Sequence, residues 1–161
     1  MPLNMSAQGH HSFPLKDSTR QYVRLLFAGD AMQHSTQFKW AWDAKNRQYD
    51  YEPNFRYLRP YLADADVSVV NFETTLSGKP YSGYPKFRTP DAFLHALADA
   101  GFQIFALANN HILDGDKRGM LRTLKKLSPY PNMGAYRDTT ERREQYPLIL
   151  HVDDMKIALF N

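Results

Sequence analysis

The chain of 161 residues contains no cysteine, which excludes disulfide bonds and thiol catalysis. Its apolar runs are far shorter than the about 20 residues that a membrane-spanning helix needs, so no membrane span is expected. The first 20 residues lack the apolar stretch of a signal peptide and are predicted to be a flexible leader. His10 and His11 lie in this leader and are interpreted as disordered rather than as ligands.

Several common catalytic motifs are also missing. The sequence has no Gly-x-Ser-x-Gly, which disfavours a serine triad. It has no P-loop, and no Gly-x-Gly-x-x-Gly follows its first predicted strand, which disfavours a nucleotide cradle. The net charge is only +3, with acids and bases mixed along the chain, so nucleic acid is not an expected partner.

The hydrophobic pattern predicts a single α/β domain in which strands alternate with helices. The three strands that matter most are predicted at 22–28, 67–70 and 103–108, with a short strand at 132–136 and a hairpin formed by 148–152 and 156–160. Helices are predicted at 54–63, from Thr89-Pro90 to Gly101 and at 119–127. Residues 139–145 are predicted to be a polar helix or a turn, and the segment 74–88 is predicted to be a loop.

Each of the first three strands ends on polar side chains. Asp30 follows the first strand, Asn71 and Glu73 follow the second, and Asn109-Asn110-His111 follows the third. Open α/β sheets bind ligands beyond the carboxyl ends of their strands, so these side chains are expected to meet at one edge. Structural alternatives remain open, namely a turn, a loop-capping network and a left-handed turn residue.

Two further residues extend these clusters. Asp114 lies three residues after His111, where it either fixes the ring tautomer by a hydrogen bond or caps the following helix. His34 is either a surface histidine or an additional ligand. The oxygen and nitrogen donors suit Mn, Fe or Zn, and two such ions can clamp a phosphoryl group and activate a water.

The motifs Phe27-Ala-Gly-Asp30, Asn71-Phe-Glu73 and Ala108-Asn-Asn-His111, followed by Asp114, resemble the bacterial capsule-synthesis family of CapA type, which serves poly-γ-glutamate synthesis. The resemblance runs from about residue 22 to the last residue and includes four further stretches: Tyr49-Asp-Tyr51, Lys79–Tyr84, Thr89-Pro-Asp91 and Asn132-Met-Gly-Ala135. That family is similar to the calcineurin-like metallophosphoesterases. The resemblance therefore implies a four-layer α/β/β/α sandwich, of which residues 21–161 would form the N-terminal part.

The resemblance also implies roles for the strand-end residues. Asp30 would be a first metal ligand, Glu73 the bridging carboxylate and Asn110 a ligand of the second metal ion. His111 would be the catalytic histidine with Asp114 beside it. Asn71 and Asn109 would be supporting motif positions, and His34 an additional ligand.

Two departures from the family accompany the resemblance. Asp116 stands where the family usually has glycine, and the further histidine motifs of longer members do not occur among these residues. His151 does not match those motifs and is interpreted as structural or exposed.

Two hypotheses follow. The first is a metal-dependent phosphoesterase-like enzyme of cell-envelope polymer synthesis, acting on an anionic polymer or a phosphate-containing substrate. The second is a truncated or non-catalytic member that binds an anionic polymer or a sugar through its aromatic side chains. Such a half-sandwich would expose an apolar sheet face and form homo-oligomers. Family context points to the cell envelope, although no export signal is visible.

Overall fold

The computed structural model describes residues 10–161. Its strands are β1 (His10–Phe13), β2 (Leu25–Asp30), β3 (Trp42–Asp43), β4 (Gln48–Tyr49), β5 (Val67–Asn71), β6 (Ile104–Ala106), β7 (Asn132–Met133), β8 (Leu148–Val152) and β9 (Met155–Leu159). Its helices are α1 (Ser35–Trp40), α2 (Glu52–Phe55), α3 (Arg59–Asp64), α4 (Asp91–Ala100), α5 (Asp116–Leu127) and α6 (Thr139–Gln145).

Four strands form a parallel sheet in the order β2-β5-β6-β7, which we call the central sheet. β5 consists of Val-Ser-Val-Val-Asn, and its first four residues are buried. A valine-rich strand covered on both faces is typical of a parallel sheet between two layers. The sequence therefore predicted the type of this sheet correctly.

The second sheet has the order β1-β8-β9. β8 and β9 form the predicted antiparallel hairpin, and β1 adds in parallel to β8. This strand corrects the prediction of a flexible leader for residues 10–13, because Phe13 is buried in the core shared by the two sheets. Residues 1–9 lie outside the described part of the chain.

Two apolar cores separate three layers. One core lies between the central sheet and the helices and includes Phe72, Leu94 and Leu97. The other lies between the two sheets and joins Val67, Val69 and Ile104 of the central sheet to the inner face of the second sheet. The arrangement is that of an α/β sandwich, as the sequence predicted.

Prolines account for two differences from the predicted helices. The predicted helix 54–63 is interrupted, and Pro60 lies in the first turn of α3, where a missing N–H costs nothing. Pro90 is the residue that caps α4, so the Thr89 hydroxyl is not the cap. The Thr89 hydroxyl instead accepts a hydrogen bond from the side-chain amide of the buried Gln33.

Candidate functional site

The ends of β2 and β5 bring Asp30, Asn71 and Glu73 together. A register shift between Ala28 and Asp30 aligns Asp30 with Asn71 across the two strands. The Asn71 side-chain amide then donates to Asp30 Oδ1 at 2.8 Å and to Glu73 Oε2 at 2.8 Å. Two carboxylates thus converge on one amide at the carboxyl edge of the central sheet.

The environment of the cluster raises the pKa of Glu73. Its side chain is only 13% exposed. Desolvation raises the pKa of Glu73, and the neighbouring Asp30 raises it further, while His111 and Asn71 act in the opposite direction. A cation at this point would relieve the repulsion between the two carboxylates.

The loop after β6 completes the cluster. Asn109 donates to Asn71 Oδ1 at 3.1 Å and to the Phe72 carbonyl at 3.1 Å, and its own Oδ1 accepts from the His111 N–H at 3.1 Å. These bonds form a chain of side chains across the ends of β2, β5 and β6. Asn110 is exposed beside this chain.

Asp114 determines the orientation of the His111 ring. Its Oδ2 lies 2.8 Å from His111 Nδ1, so the ring hydrogen bond is formed and the alternative, a cap on α5, is not. His111 Nε2 consequently faces the cluster, 3.9 Å from Glu73 Oε1. A carboxylate on one ring nitrogen favours the tautomer that leaves the other nitrogen free for a metal ion or a substrate.

Sequence reasoning missed three residues that hold this loop. The Phe87 N–H donates to Asp114 Oδ2 at 2.6 Å, and its ring packs edge-on against His111, with centroids 4.6 Å apart. The Arg88 guanidinium donates to the Asp114 carbonyl. Asn161 Oδ1 accepts from the Ala108 N–H at 2.8 Å. Phe87 and Arg88 belong to a segment interpreted only as a loop, and no local pattern marks Asn161.

His34 takes no hydrogen-bonding part in the cluster. It is exposed at the start of α1, and its ring lies edge-on to Phe87, 5.1 Å between centroids. His151 is half-buried, and its Nε2 lies 3.1 Å from Nδ1 of His10 on β1. This pair belongs to the second sheet and not to the strand-end cluster.

The turn that follows Asp114 explains one departure from the family pattern. Asp116 adopts a φ of 57°, in the left-handed region that glycine favours and aspartate tolerates. Gly115 has no room for a side chain, because an added Cβ would lie 2.6 Å from Ser77 Cβ. The turn is therefore compatible with glycine at position 115 and aspartate at position 116.

The donor set fits a divalent cation only when amide oxygens are included. Over residues 10–161, no three His, Cys, Asp or Glu side chains form a metal-binding group by themselves. Asp30 and Glu73 share the Asn71 amide, and Glu73 lies 3.9 Å from His111 Nε2. The side-chain oxygens of Asn71 and Asn109 accept hydrogen bonds from Asn109 and from the His111 N–H, so the exposed Asn110 is the amide that remains for a cation. Hard and borderline metal ions accept such mixed ligands.

The fold and the strand-end cluster define a metallophosphoesterase-like α/β sandwich. The chain belongs to the family described as "Bacterial capsule synthesis protein PGA_cap", whose profile matches residues 24–161. A relative from Bacillus anthracis, "Capsule biosynthesis protein CapA", is 27% identical over 118 residues. This alignment covers 70% of the chain and 28% of the relative, so the chain spans well under half of that protein. In the described part of the chain, no helix has the length and apolarity to cross a membrane.

Proposed function

We propose that this chain binds divalent metal ions at the strand-end cluster and contributes a metallophosphoesterase-like site to the synthesis of a cell-envelope polymer. The observation that carries the proposal is the convergence of Asp30 and Glu73 on the Asn71 amide, next to the free nitrogen of His111. Two neighbouring carboxylates, of which Glu73 is largely buried, favour a cation between them.

The residues divide into ligands and groups that orient them. Asp30, Glu73 and Asn110 would hold metal ions of the Mn, Fe or Zn class, two in a complete site. Asn71 and Asn109 keep the carboxylates and the loop in register through their amides. A bound ion would supply Lewis-acid stabilisation of charge on a phosphate ester.

His111 is the proposed acid or base of the reaction. Because Asp114 accepts from Nδ1, the Nε2 atom is able to take a proton from an attacking water or to give one to a leaving oxygen. Phe87 holds Asp114 through its N–H and restricts the ring on one side. The substrate class proposed from the family is a phosphate-containing precursor or an anionic polymer.

Calorimetric titration of the chain with Mn²⁺ and Zn²⁺ tests the metal site. Binding is expected for the unmodified chain and is expected to be lost or weakened at least tenfold in Asp30→Asn and Glu73→Gln. Asp99→Asn is the matched control, since Asp99 is exposed on α4 and outside the cluster. Absence of binding, or an equal effect of the control, would contradict the metal site.

Hydrolysis of bis-p-nitrophenyl phosphate tests the role of His111 separately. His111→Gln is expected to keep most of the metal affinity and to lose hydrolysis. If His111→Gln hydrolyses the ester as fast as the unmodified chain, the acid–base role is wrong even where metal binding holds.

A second candidate function is binding of an anionic polymer or a sugar without catalysis. The observation that favours it is the exposure of Trp40, 87%, and Tyr84, 78%. The other aromatic side chains of this region argue for packing, because Tyr51 is buried and stacks on Tyr49. A pull-down with polyglutamate or a glycan array, with Trp40→Ala as the variant, separates this candidate from the enzyme.

A further inference from the structure

A cavity of about 750 Å³ lies beside β7 and is lined by residues of α5, α6, β7, β8 and β1. Sites for small organic ligands have volumes of roughly 300–1,000 Å³. The apolar part of the wall includes Leu121, Leu124 and Leu148, and the polar part includes His11 and Lys125. None of the described residues that line the cavity belongs to the strand-end cluster, so a ligand bound there would be separate from the candidate metal site.

His11 brings a buried nitrogen without a partner to this wall. Its side chain is 8% exposed, and within residues 10–161 its Nδ1 has no hydrogen-bond partner. Burial and then the neighbouring His10 lower the pKa of His11, so the ring is neutral near pH 7 and still donates through one nitrogen. A buried polar atom without a partner is unfavourable, and a ligand in the cavity would supply the missing partner.

Positive charge predominates among the charged side chains that line the cavity, which are Lys125, Arg137 and Glu141. Glu141 is neutralised locally, because its Oε1 accepts from Arg137 Nε at 2.8 Å and its Oε2 accepts from the Arg137 N–H. Within the described part of the chain, Lys125 has no carboxylate partner, whereas its neighbour Lys126 pairs with Asp91 at 2.8 Å. The remaining cation favours an anionic ligand.

We propose that this cavity binds a small organic anion, with Lys125 neutralising its charge, His11 hydrogen-bonding to it and the leucines of the wall covering its apolar body. Hydrogen bonds to an ionised group are stronger than those between neutral groups, so an anion suits the His11 ring. Leu121 is 36% exposed on α5, and an apolar body in the cavity would cover it. The charged group is a carboxylate or a phosphate, both of which accept from an ammonium and an imidazole.

Fluorescence titration with anilinonaphthalene sulfonate tests the site, because this dye joins an anionic group to an apolar body and emits strongly in apolar surroundings. Phenylnaphthylamine has the same rings without the sulfonate and is the matched neutral dye. EDTA in all titrations removes any contribution of bound metal ions. The unmodified chain is expected to bind one sulfonate dye saturably and the neutral dye more weakly. Absence of saturable binding, or a preference for the neutral dye, would overturn the proposal whether or not the strand-end cluster binds metal.

Replacement of Lys125 separates charge from shape. Lys125→Gln is expected to weaken binding of the sulfonate dye about fivefold, the effect of one partly exposed ion pair, and to change binding of the neutral dye by less than about twofold. Lys126→Gln is the matched control, because it removes the same charge from the next residue of α5, which pairs with Asp91 and does not line the cavity. Equal weakening by the two variants would indicate general electrostatic attraction and would contradict a built site.

His11→Phe tests the unpartnered nitrogen by two measurements. Phenylalanine keeps an aromatic ring but removes the polar atoms, so the urea midpoint without ligand is expected to rise. Affinity for the sulfonate dye is expected to fall in the same variant. A lower urea midpoint would contradict the argument from burial, and unchanged affinity would remove His11 from the site.

Displacement of the bound sulfonate dye identifies the class of anion. Naphthoate and naphthyl phosphate carry the two candidate groups on the same apolar body, and naphthylmethanol is their neutral counterpart. One of the two anions is expected to displace the dye at a concentration at least about tenfold lower than naphthylmethanol requires, a difference of about 1.4 kcal/mol. If the alcohol displaces the dye as well as both anions do, the cavity does not select a charged ligand and the proposal is wrong.

Discussion

Asp66 joins the segment before β2 to the start of β5, and its replacement by asparagine is expected to destabilise the fold strongly. The side chain is 1% exposed. Its Oδ1 accepts from the Lys16 N–H and from the Arg20 guanidinium, both at 2.8 Å, and its Oδ2 accepts from the Arg24 N–H at 2.8 Å. Three donors thus depend on one buried carboxylate.

The expected cost follows from these contacts. An asparagine side chain has one oxygen where aspartate has two, so the donors to the replaced oxygen lose their acceptor. Hydrogen bonds to a charged group contribute about 1.5–3 kcal/mol each. The Arg20 guanidinium, only 12% exposed, also loses its buried carboxylate partner and keeps only the exposed Asp17 at 3.8 Å. Removing one member of a buried pair costs about 3–5 kcal/mol, and we expect Asp66→Asn to fall in this range.

Urea unfolding followed by circular dichroism measures this cost. Asp64→Asn is the control, because Asp64 is 68% exposed and pairs with Arg24 at the surface, where such pairs contribute about 0–1 kcal/mol. If Asp66→Asn is no less stable than Asp64→Asn, the carboxylate does not anchor the segment.

The pH dependence gives a second readout. Burial by itself raises the pKa of Asp66, but the N–H groups of Arg24 and Lys16 and the Arg20 guanidinium outweigh it, so the pKa is lowered. A lowered folded-state pKa contributes stability that is complete above the unfolded value of about 3.9 and is lost as the pH falls toward the folded value. Stability should therefore decline in acid for the unmodified chain and decline less for Asp66→Asn. Equal acid slopes would contradict the assignment.

Three further substitutions have definite expectations. Asn71→Asp places a third carboxylate between two others, so it should lower the melting temperature without metal and regain it with Mn²⁺ in a thermal shift assay; equal losses in both conditions would argue against the cation site. Thr123→Val leaves the buried Leu76 N–H without its acceptor and should cost about 1–3 kcal/mol in urea unfolding, whereas Thr123→Ser should cost less than half of that. Gly134→Ala forces a side chain onto a φ of 97° and toward Ala108 N, 2.5 Å from the added carbon, so it should reduce both stability and metal affinity; an unchanged urea midpoint would contradict it.

The long, strongly patterned elements could be predicted from the sequence because their side chains are sufficient to define them. Three of the four buried residues of β5 are valines, and the β8–β9 hairpin forms as expected. α6 occupies the range 139–145, where the sequence predicted a polar helix or a turn. β1 could not be predicted, since four residues carry too short a pattern and its partner lies far along the chain. The helix predicted at 54–63 is divided because Pro60 has no backbone N–H to donate, which suits the first turn of a new helix.

The sequence by itself determined the chemistry of the strand ends: carboxylates, amides and an imidazole after three apolar strands, in an order that resembles one family. Only the tertiary structure decided how these groups are connected, because hydrogen bonds between strands depend on register. The bonds from Asn71 to Asp30, from Asn109 to Asn71 and from Phe87 to Asp114 arise between segments far apart in the chain. The bond between His111 and Asp114 is local, and the sequence offered it as one of two alternatives.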